Sequence, residues 1–159
     1  MELGAQNEKR YFKELKQIGL RYTPYLIQKI KARHPYPYDP NVYPWQEFLS
    51  PIEKNVWNAI RALGMPFYPQ FPVGRYHVDF ADPIFKLAIE ADGAAYHNKK
   101  KDDWRDFQLD QKGWTIYRIE GRDTKIQTIE DNYGIETEIF PLDDFLKSIC
   151  EIHYPHIIF

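Results

Sequence analysis

The sequence predicts an α/β fold in which a helix, three strands, a second helix and a fourth strand follow one another between residues 50 and 121. Two observations predict this order. Apolar residues recur at helical spacing directly after a helix-start signal at Ser50. Three short strand-like runs, separated by turn residues, come next and precede a second helical segment that ends at Gly113. We expect a mixed sheet with a hairpin at its centre.

Composition limits the class of protein. The chain has 159 residues, of which 43% are hydrophobic and 16% aromatic, so a substantial core is expected and disorder along the whole chain is excluded. The one cysteine, Cys150, excludes a disulfide framework and a zinc site built from several cysteines. No apolar run approaches the length of a membrane span, and the first ten residues are polar, so we expect a cytoplasmic protein with no membrane partner.

Each element of the core depends on a local signal. Ser50, Pro51 and Glu53 predict a capped helix start, and Gly64 ends that helix. Strands are expected at residues 67–71, 76–81 and 85–91, with turns at 73–75 and 82–83. The second helix is expected at 102–112 and the fourth strand at 115–120. Together these elements predict a core domain at residues 50–121.

Two extensions flank this core. Residues 1–49 are expected to hold helices at 8–19 and 23–33, followed by a connector whose prolines forbid a helix or a central strand. Residues 122–159 are expected to form an acidic helical extension packed on the core, with helices at 123–131 and 143–152. The predicted organisation is therefore 1–49, 50–121 and 122–159.

Charge is distributed unevenly around a net value of -2. Residues 1–33 carry 8 lysines and arginines against 3 acids, whereas residues 113–159 carry 4 against 9. The basic helices could dock on nucleic acid, or pack on the core as a lid. The acidic tail could cover a sheet edge, or hold a protein partner or a second copy. Charge alone leaves a solvated surface without a partner equally open.

Two acids stand within the apolar strands of the central hairpin, Asp79 in one strand and Glu90 in the next. A lone buried carboxylate costs several kcal/mol or shifts its pKa until it is neutral, so something must compensate for these two acids. A metal ion is one candidate, and oxygen ligands favour Mg²⁺ or Mn²⁺. A salt bridge from Arg75 or Arg118 to Asp79 is the structural alternative.

The metal hypothesis depends on the register of the hairpin. A turn centred on Pro83 and Ile84 makes Asp82 face Phe85, and Glu90 is then the diagonal neighbour of Asp79 on one face of the sheet. A slip of one residue would place the two acids on opposite faces.

Four segments of the chain form one pattern together: 50–61 (SPIEKNVWNAIR), 70–80 (QFPVGRYHVDF), 86–97 (KLAIEADGAAYH) and 102–118 (DDWRDFQLDQKGWTIYR). These segments resemble the very-short-patch-repair-type endonucleases of the restriction-endonuclease-like superfamily, whose motif is PD-(D/E)xK. Their order, spacing and glycines agree with that family over just under half of the chain. The resemblance implies a restriction-endonuclease-like core and metal-dependent hydrolysis of DNA.

The resemblance also implies roles for individual acids. Asp79 corresponds to the central metal-binding aspartate, Glu90 to the second acid, and the carbonyl of Ala91 to an added ligand. Glu53 corresponds to the helix acid that supports the metal or its water, which is compatible with a capping role. Asp92 stands where the superfamily has lysine, so a lysine-activated water is not expected.

Further positions carry weaker assignments. His97 matches a histidine that could act as general base or acid, although a loop histidine bonded to backbone is as good an interpretation. Lys99, Lys100 and Lys101 suit phosphate contact, although a lysine run is usually only solvated. Arg105 could hold a phosphate or, as we favour, pair with Asp102 or another core acid.

The leading hypothesis is a divalent-metal-dependent DNA endonuclease that nicks or cuts double-stranded DNA. The first alternative is a catalytically inactive nuclease-fold protein that binds nucleic acid, because lysine is absent at Asp92. The second is a protein-interaction module that uses the tail and the connector. RNA as substrate stays open.

Overall fold

The computed structural model describes residues 9, 10, 13, 16–33, 44–93 and 99–157. Its helices are residues 16–21 (α1), Pro24–Lys31 (α2), Pro51–Leu63 (α3), Lys99–Gln111 (α4) and Pro141–His153 (α5). Its strands are Tyr68–Val73 (β1), Tyr76–Asp82 (β2), Leu87–Asp92 (β3), Thr115–Glu120 (β4), Gln127–Glu130 (β5) and Glu136–Ile139 (β6). None of the described helices is both long enough and apolar enough to cross a bilayer.

The first four strands form one sheet in the order β1-β2-β3-β4. The β1–β2 and β2–β3 pairs are antiparallel, whereas β3 and β4 pair in parallel through the α4 crossover. This is the predicted α/β core, with the hairpin of β2 and β3 at the centre of a mixed sheet. Strands β5 and β6 form a separate two-stranded sheet.

Helix α3 covers the sheet because its apolar stripe matches the apolar face of β2. Val56 and Ile60 are fully buried, and the Trp57 ring stacks on Phe80 at 6.0 Å between centroids. Gly64 ends the helix in the left-handed conformation at φ 69°, as its position after the last apolar residue predicts. The N-terminus of α3 is therefore fixed at the end of the sheet where the strand acids lie.

The hairpin register differs from the predicted one by two residues. Asp82 pairs with Leu87, not with Phe85, because the turn contains four residues. The Asp82 carboxylate accepts the backbone N–H of Ile84 at 2.9 Å and that of Phe85 at 3.4 Å, which stabilises this longer turn. A shift of two residues preserves the alternation of faces, so Asp79 and Glu90 still share one face. They are now directly opposite and not diagonal.

The helix predicted at residues 123–131 is wrong. A 3-10 turn at Gly121–Thr124 leads into strand β5, which pairs with β6. The Asp131 carboxylate accepts the N–H groups of Tyr133 and Ile135, and Gly134 adopts φ 77°, so the segment between β5 and β6 closes a hairpin. The acidic extension is thus a hairpin followed by α5, which confirms the helix predicted at 143–152 with slightly wider bounds.

The N-terminal extension agrees with its prediction where it is described. Residues 16–21 are helical, and Thr23 caps α2 by accepting the Leu26 N–H at 3.2 Å. The Tyr22 hydroxyl donates to the Pro69 carbonyl at 2.5 Å, which ties this extension to β1. Most of the predicted connector, residues 34–43, lies outside the described residues.

Candidate active site

Asp79 and Glu90 meet across the central hairpin. An Asp79 carboxylate oxygen accepts the Ala91 backbone N–H at 2.8 Å. The Asp79 backbone N–H in turn points to the Glu90 carboxylate at 3.4 Å. Because each acid bonds the backbone of the opposite strand, both carboxylates are held side by side at the end of the hairpin. The contact that the sequence predicted between these acids is therefore present.

Asp79 carries the strongest electrostatic perturbation of the candidate site. Desolvation raises the pKa of Asp79 well above its ordinary value, and the nearby charges of Glu90 and Glu53 raise it further. The Ala91 N–H acts in the opposite direction. The two predicted salt-bridge partners of Asp79 bond other residues: Arg118 donates to Asp106 at 2.6 Å, and Arg75 donates to Tyr76 at 2.8 Å.

Glu90 is compensated by an arginine. Arg105, which projects from α4, makes a short ion pair with the Glu90 carboxylate. The same guanidinium donates to the His77 carbonyl at 2.9 Å. Arg105 therefore pairs with a core acid, the interpretation that we favoured from the sequence, and that acid is Glu90.

Glu53 combines a capping role with a place in the candidate site. One of its carboxylate oxygens accepts the Ser50 backbone N–H at 2.6 Å, and its own N–H donates to the Ser50 hydroxyl at 3.3 Å. This confirms the capping box. The other oxygen accepts the side-chain amide of Gln70 at 3.3 Å, so Glu53 is held from two sides.

Gln70 is a functional candidate that the sequence analysis missed. It lies in β1 beside Asp79 of β2, is 7% exposed, and adopts φ 48° although it is not glycine. A left-handed residue inside a strand is strained, and strain of this kind concentrates at functional sites. The available signal was a polar residue in the otherwise apolar run YPQFPV.

His77 is a second residue that the sequence analysis did not single out. It lines the site cavity, and in the part of the chain that the structure describes its Nε2 is buried without a hydrogen-bond partner. Burial lowers the pKa of His77, so the ring is neutral at pH 7. A Cβ placed on Gly19 would lie 3.3 Å from this Nε2, so the ring packs against α1.

The other predicted site residues lie at the rim of the site, at the start of α4 or outside the described residues. The Asp92 carboxylate lies 3.7 Å from Arg118, at the rim of the site. Lys100 and Lys101 are exposed in the first turn of α4. His97 falls outside the described residues, as does the side chain of Lys99, so their predicted roles stay predictions.

These side chains line a cavity of about 800 Å³. Among the described residues, its walls carry seven carboxylates and two guanidiniums, those of Arg105 and Arg118. The seven acids are Glu53, Asp79, Glu90, Asp92, Asp102, Asp103 and Asp106. Such an excess of negative charge repels a phosphodiester unless a cation is present.

A divalent ion fits the chemistry of this donor set. Asp79 offers a carboxylate beside Glu90, and both are hard oxygen ligands. Among residues 9–157 as far as they are described, no group of three or more acid, histidine or cysteine side chains stands ready as a complete metal cage. Mg²⁺ is commonly held by one or two carboxylates together with waters and substrate phosphate, so two strand acids satisfy its requirement.

Two known proteins are similar to part of this chain. Over 73 residues the chain is 36% identical to an uncharacterized protein of Haemophilus influenzae (strain ATCC 51907 / DSM 11121 / KW20 / Rd). The match covers 42% of this chain and 60% of that relative, so the chain spans about three fifths of the relative's length. The catalytic domain of the homing endonuclease I-Bth0305I is similar over 47% of this chain and 80% of that domain, with 24% identity and a TM-score of 0.42.

The family model REase_MTES_1575 matches residues 52–131, half of the chain, from the α3 acid through the strand acids to just past β5. This range includes Glu53, Asp79 and Glu90. The chain belongs to this restriction-endonuclease-like family.

Proposed function

We propose that the protein is a divalent-metal-dependent DNA endonuclease whose candidate catalytic residues are Glu53, Asp79, Glu90 and Asp92. The observation that carries this proposal is the pair of strand carboxylates, Asp79 and Glu90, fixed side by side in an acidic cavity. Family membership supports phosphodiester hydrolysis as the reaction class. The finer resemblance to the very-short-patch-repair type belongs to the same proposal.

Asp79 and Glu90 would hold the ion, with the Ala91 carbonyl as a further ligand. Mg²⁺ or Mn²⁺, when bound, supplies a Lewis acid for the scissile phosphate and lowers the pKa of a bound water. A bound cation would also offset the nearby negative charges that raise the pKa of the Asp79 carboxyl. Arg105 keeps one oxygen of Glu90 in place, which leaves the rest of that carboxylate oriented toward Asp79.

Glu53 is placed to orient water. Its Oε1 is held by the Gln70 amide and its Oε2 by the Ser50 N–H, so its position does not depend on substrate. A preoriented carboxylate beside a metal site can accept a hydrogen bond from the attacking water. His97 would then move a proton, and Lys99, Lys100 and Lys101 would contact phosphates near the start of α4.

A plasmid nicking assay tests this function. Wild-type protein is expected to convert supercoiled double-stranded DNA with Mg²⁺ or Mn²⁺ and to stop in EDTA. Asp79→Asn should lose at least about a hundredfold in rate, since it removes a charged ligand of the ion. Asp110→Asn is the matched control, because Asp110 is an exposed acid of α4, the helix that carries Arg105, and does not line the cavity.

Two results would contradict the proposal. Metal-independent cutting that persists in Asp79→Asn would place the active site elsewhere. Absence of cutting on supercoiled, linear, mismatched and single-stranded DNA would favour the alternative, a nuclease-fold module that binds nucleic acid without cleaving it. Parallel reactions on RNA decide the preference between the two nucleic acids.

A further inference from the structure

An aromatic pair lies exposed on α4 outside the acidic cavity. Trp104 and Phe107 are 54% and 53% exposed, and their rings stack at 5.7 Å between centroids with 23° between planes. The other three tryptophans are at most 9% exposed. Two large rings held together in solvent bury little of their own area, so the core does not account for their position.

The surroundings of this pair are cationic. With Arg75 and Lys112, the two rings border a shallow cavity of about 530 Å³ whose remaining lining is two glutamines. We call Trp104, Phe107, Arg75 and Lys112 the aromatic shelf. No carboxylate lines it among the described residues, in contrast to the acidic cavity on the other side of the helix.

Tyr76 connects the aromatic shelf to the candidate active site. Its hydroxyl donates to Gln108 at 2.7 Å and accepts from Arg75 at 2.8 Å, which fixes the edge of the shelf. The guanidinium of Arg105, which pairs with Glu90, lies 5.9 Å from the same ring. A nucleic-acid strand that extends from Asp79 and Glu90 along α4 would therefore pass Tyr76 and Arg105 and then reach the aromatic shelf.

We propose that the aromatic shelf binds the nucleic-acid strand beside the scissile phosphate. An unpaired base stacks on the free face of the Trp104 indole, and Arg75 and Lys112 neutralise the adjacent phosphates. This substrate-binding role rests on the proposed function and specifies a substrate with at least one unstacked base. A nucleic acid is favoured over an apolar protein partner because both charged members of the shelf are cations.

The fluorescence of Trp104 can report the binding of DNA to the shelf, because Trp104 is exposed whereas the other three tryptophans are buried. Binding is measured by the fluorescence anisotropy of a short dye-labelled single-stranded DNA, and of a labelled strand of equal length that lacks bases, and quenching of tryptophan fluorescence is followed in the variants that keep Trp104. The host protein is the Asp79→Asn variant, so that cleavage does not interfere. Trp104→Ala is compared with Tyr133→Ala, a matched control at a residue that is 90% exposed in the β5–β6 hairpin.

The base-bearing strand is expected to quench the fluorescence, and Trp104→Ala to bind it about 5- to 150-fold more weakly than Tyr133→Ala does. Trp104→Phe should recover part of this affinity. Lys112→Gln should weaken binding of both strands and lower the slope of log affinity against log salt by about one.

Equal binding by Trp104→Ala and Tyr133→Ala would overturn the proposal, as would equal affinity for the strand without bases. A change of sedimentation mass in Trp104→Ala, without a change in DNA affinity, would assign the shelf to a second copy of the chain. If the wild type nicks DNA but Trp104→Ala does not change DNA binding, the role of the aromatic shelf is refuted and the proposed function is not. Base-dependent quenching without any metal-dependent nicking would support the shelf and refute the proposed function.

Discussion

Asp79→Asn should stabilise the protein in the absence of metal. The Asp79 carboxyl is desolvated and lies beside the charges of Glu90 and Glu53. Asparagine keeps an oxygen for the Ala91 N–H, and its amide can donate to Glu90 across the hairpin. The substitution therefore removes a repulsion and retains the hydrogen bond that orders the end of the hairpin.

The magnitude follows from the charges. Two like charges at about 4 Å repel by about 4 kcal/mol at an effective dielectric constant near 20. Because the pKa of Asp79 is raised, proton uptake offsets part of this repulsion in the wild type, and we expect a gain of about 1–2 kcal/mol in the free energy of unfolding. For a chain of this length, 1 kcal/mol moves Tm by about 2–4 °C, so the expected rise is about 2–8 °C.

Mg²⁺ should reverse the order of stability. An ion that binds only the folded state at a hundred times its Kd stabilises that state by about 2.7 kcal/mol. The wild type should gain this increment, whereas Asp79→Asn should gain little because a charged ligand is gone. Thermal denaturation followed by circular dichroism, with EDTA and with Mg²⁺, measures both effects.

Asp110→Asn serves as the control, since it removes one exposed charge without entering the cavity. Its Tm should stay within about 2 °C of the wild type in both buffers. A lower Tm for Asp79→Asn in EDTA would refute the electrostatic reasoning. An equal Mg²⁺ shift in the wild type and in Asp79→Asn would refute the assignment of the ligand.

Three further changes test other contacts. Gln70→Gly relieves the strained φ but removes a buried side chain that bonds Glu53, and nicking should fall about tenfold because Glu53 loses its amide partner; unchanged nicking would contradict the positioning role. Arg105→Gln leaves Glu90 without its cation and should cost about 3 kcal/mol of stability, with a larger Mg²⁺ shift in Tm than in the wild type; an undiminished stability would show that the ion pair is dispensable. Burial and its bond to Asp82 raise the pKa of the Tyr154 phenol above the ordinary 10.0, so the stability that this shift contributes is complete below pH 10 and is lost as the pH rises further. Tyr154→Phe should flatten this loss of stability at alkaline pH, measured by urea denaturation at a series of pH values. An unchanged slope of stability against pH would refute the role of Tyr154.

The sequence predicted that the two strand acids share one face of the sheet, although the predicted hairpin register was wrong by two residues. Side chains alternate between the two faces, so an even error in register leaves them on the same face. The turn after Asp82 was expected to be two residues long, yet it contains four, with Lys86 in a left-handed conformation at φ 54°. The error of two residues kept Asp79 and Glu90 on one face. A register error of one residue would have placed the two acids on opposite faces. The prediction of the site therefore depended on whether the register error was even or odd, more than on the exact length of the turn.

The segment at 123–131 shows where local patterns fail. Its apolar residues Ile126 and Ile129 fit helical spacing, but both are largely exposed, at 62% and 53%. The downstream turn at Asp131 and Gly134, which closes the β5–β6 hairpin, decides the structure instead. The spacing of apolar residues within 123–131 carries no information about the strand at residues 136–139 with which this segment pairs.

Gln70 and the Arg105–Glu90 pair depend on tertiary contacts. The position of Gln70 opposite Asp79 follows from the β1–β2 register, and its bond to Glu53 follows from the docking of α3. Arg105 had several acids within plausible sequence distance, and only the packing of α4 selects Glu90. The identity of the acids was therefore predictable, whereas the residues that hold them were not.

A Mn²⁺ titration followed by electron paramagnetic resonance tests the central claim, that Asp79 and Glu90 form one shared cation site. The signal of free Mn²⁺ should fall on addition of wild-type protein or Asp110→Asn, and the uptake should saturate. Asp79→Asn should lose this uptake, and excess Mg²⁺ should displace the bound Mn²⁺ from the wild type. Equal Mn²⁺ uptake by Asp79→Asn and the wild type would contradict the claim.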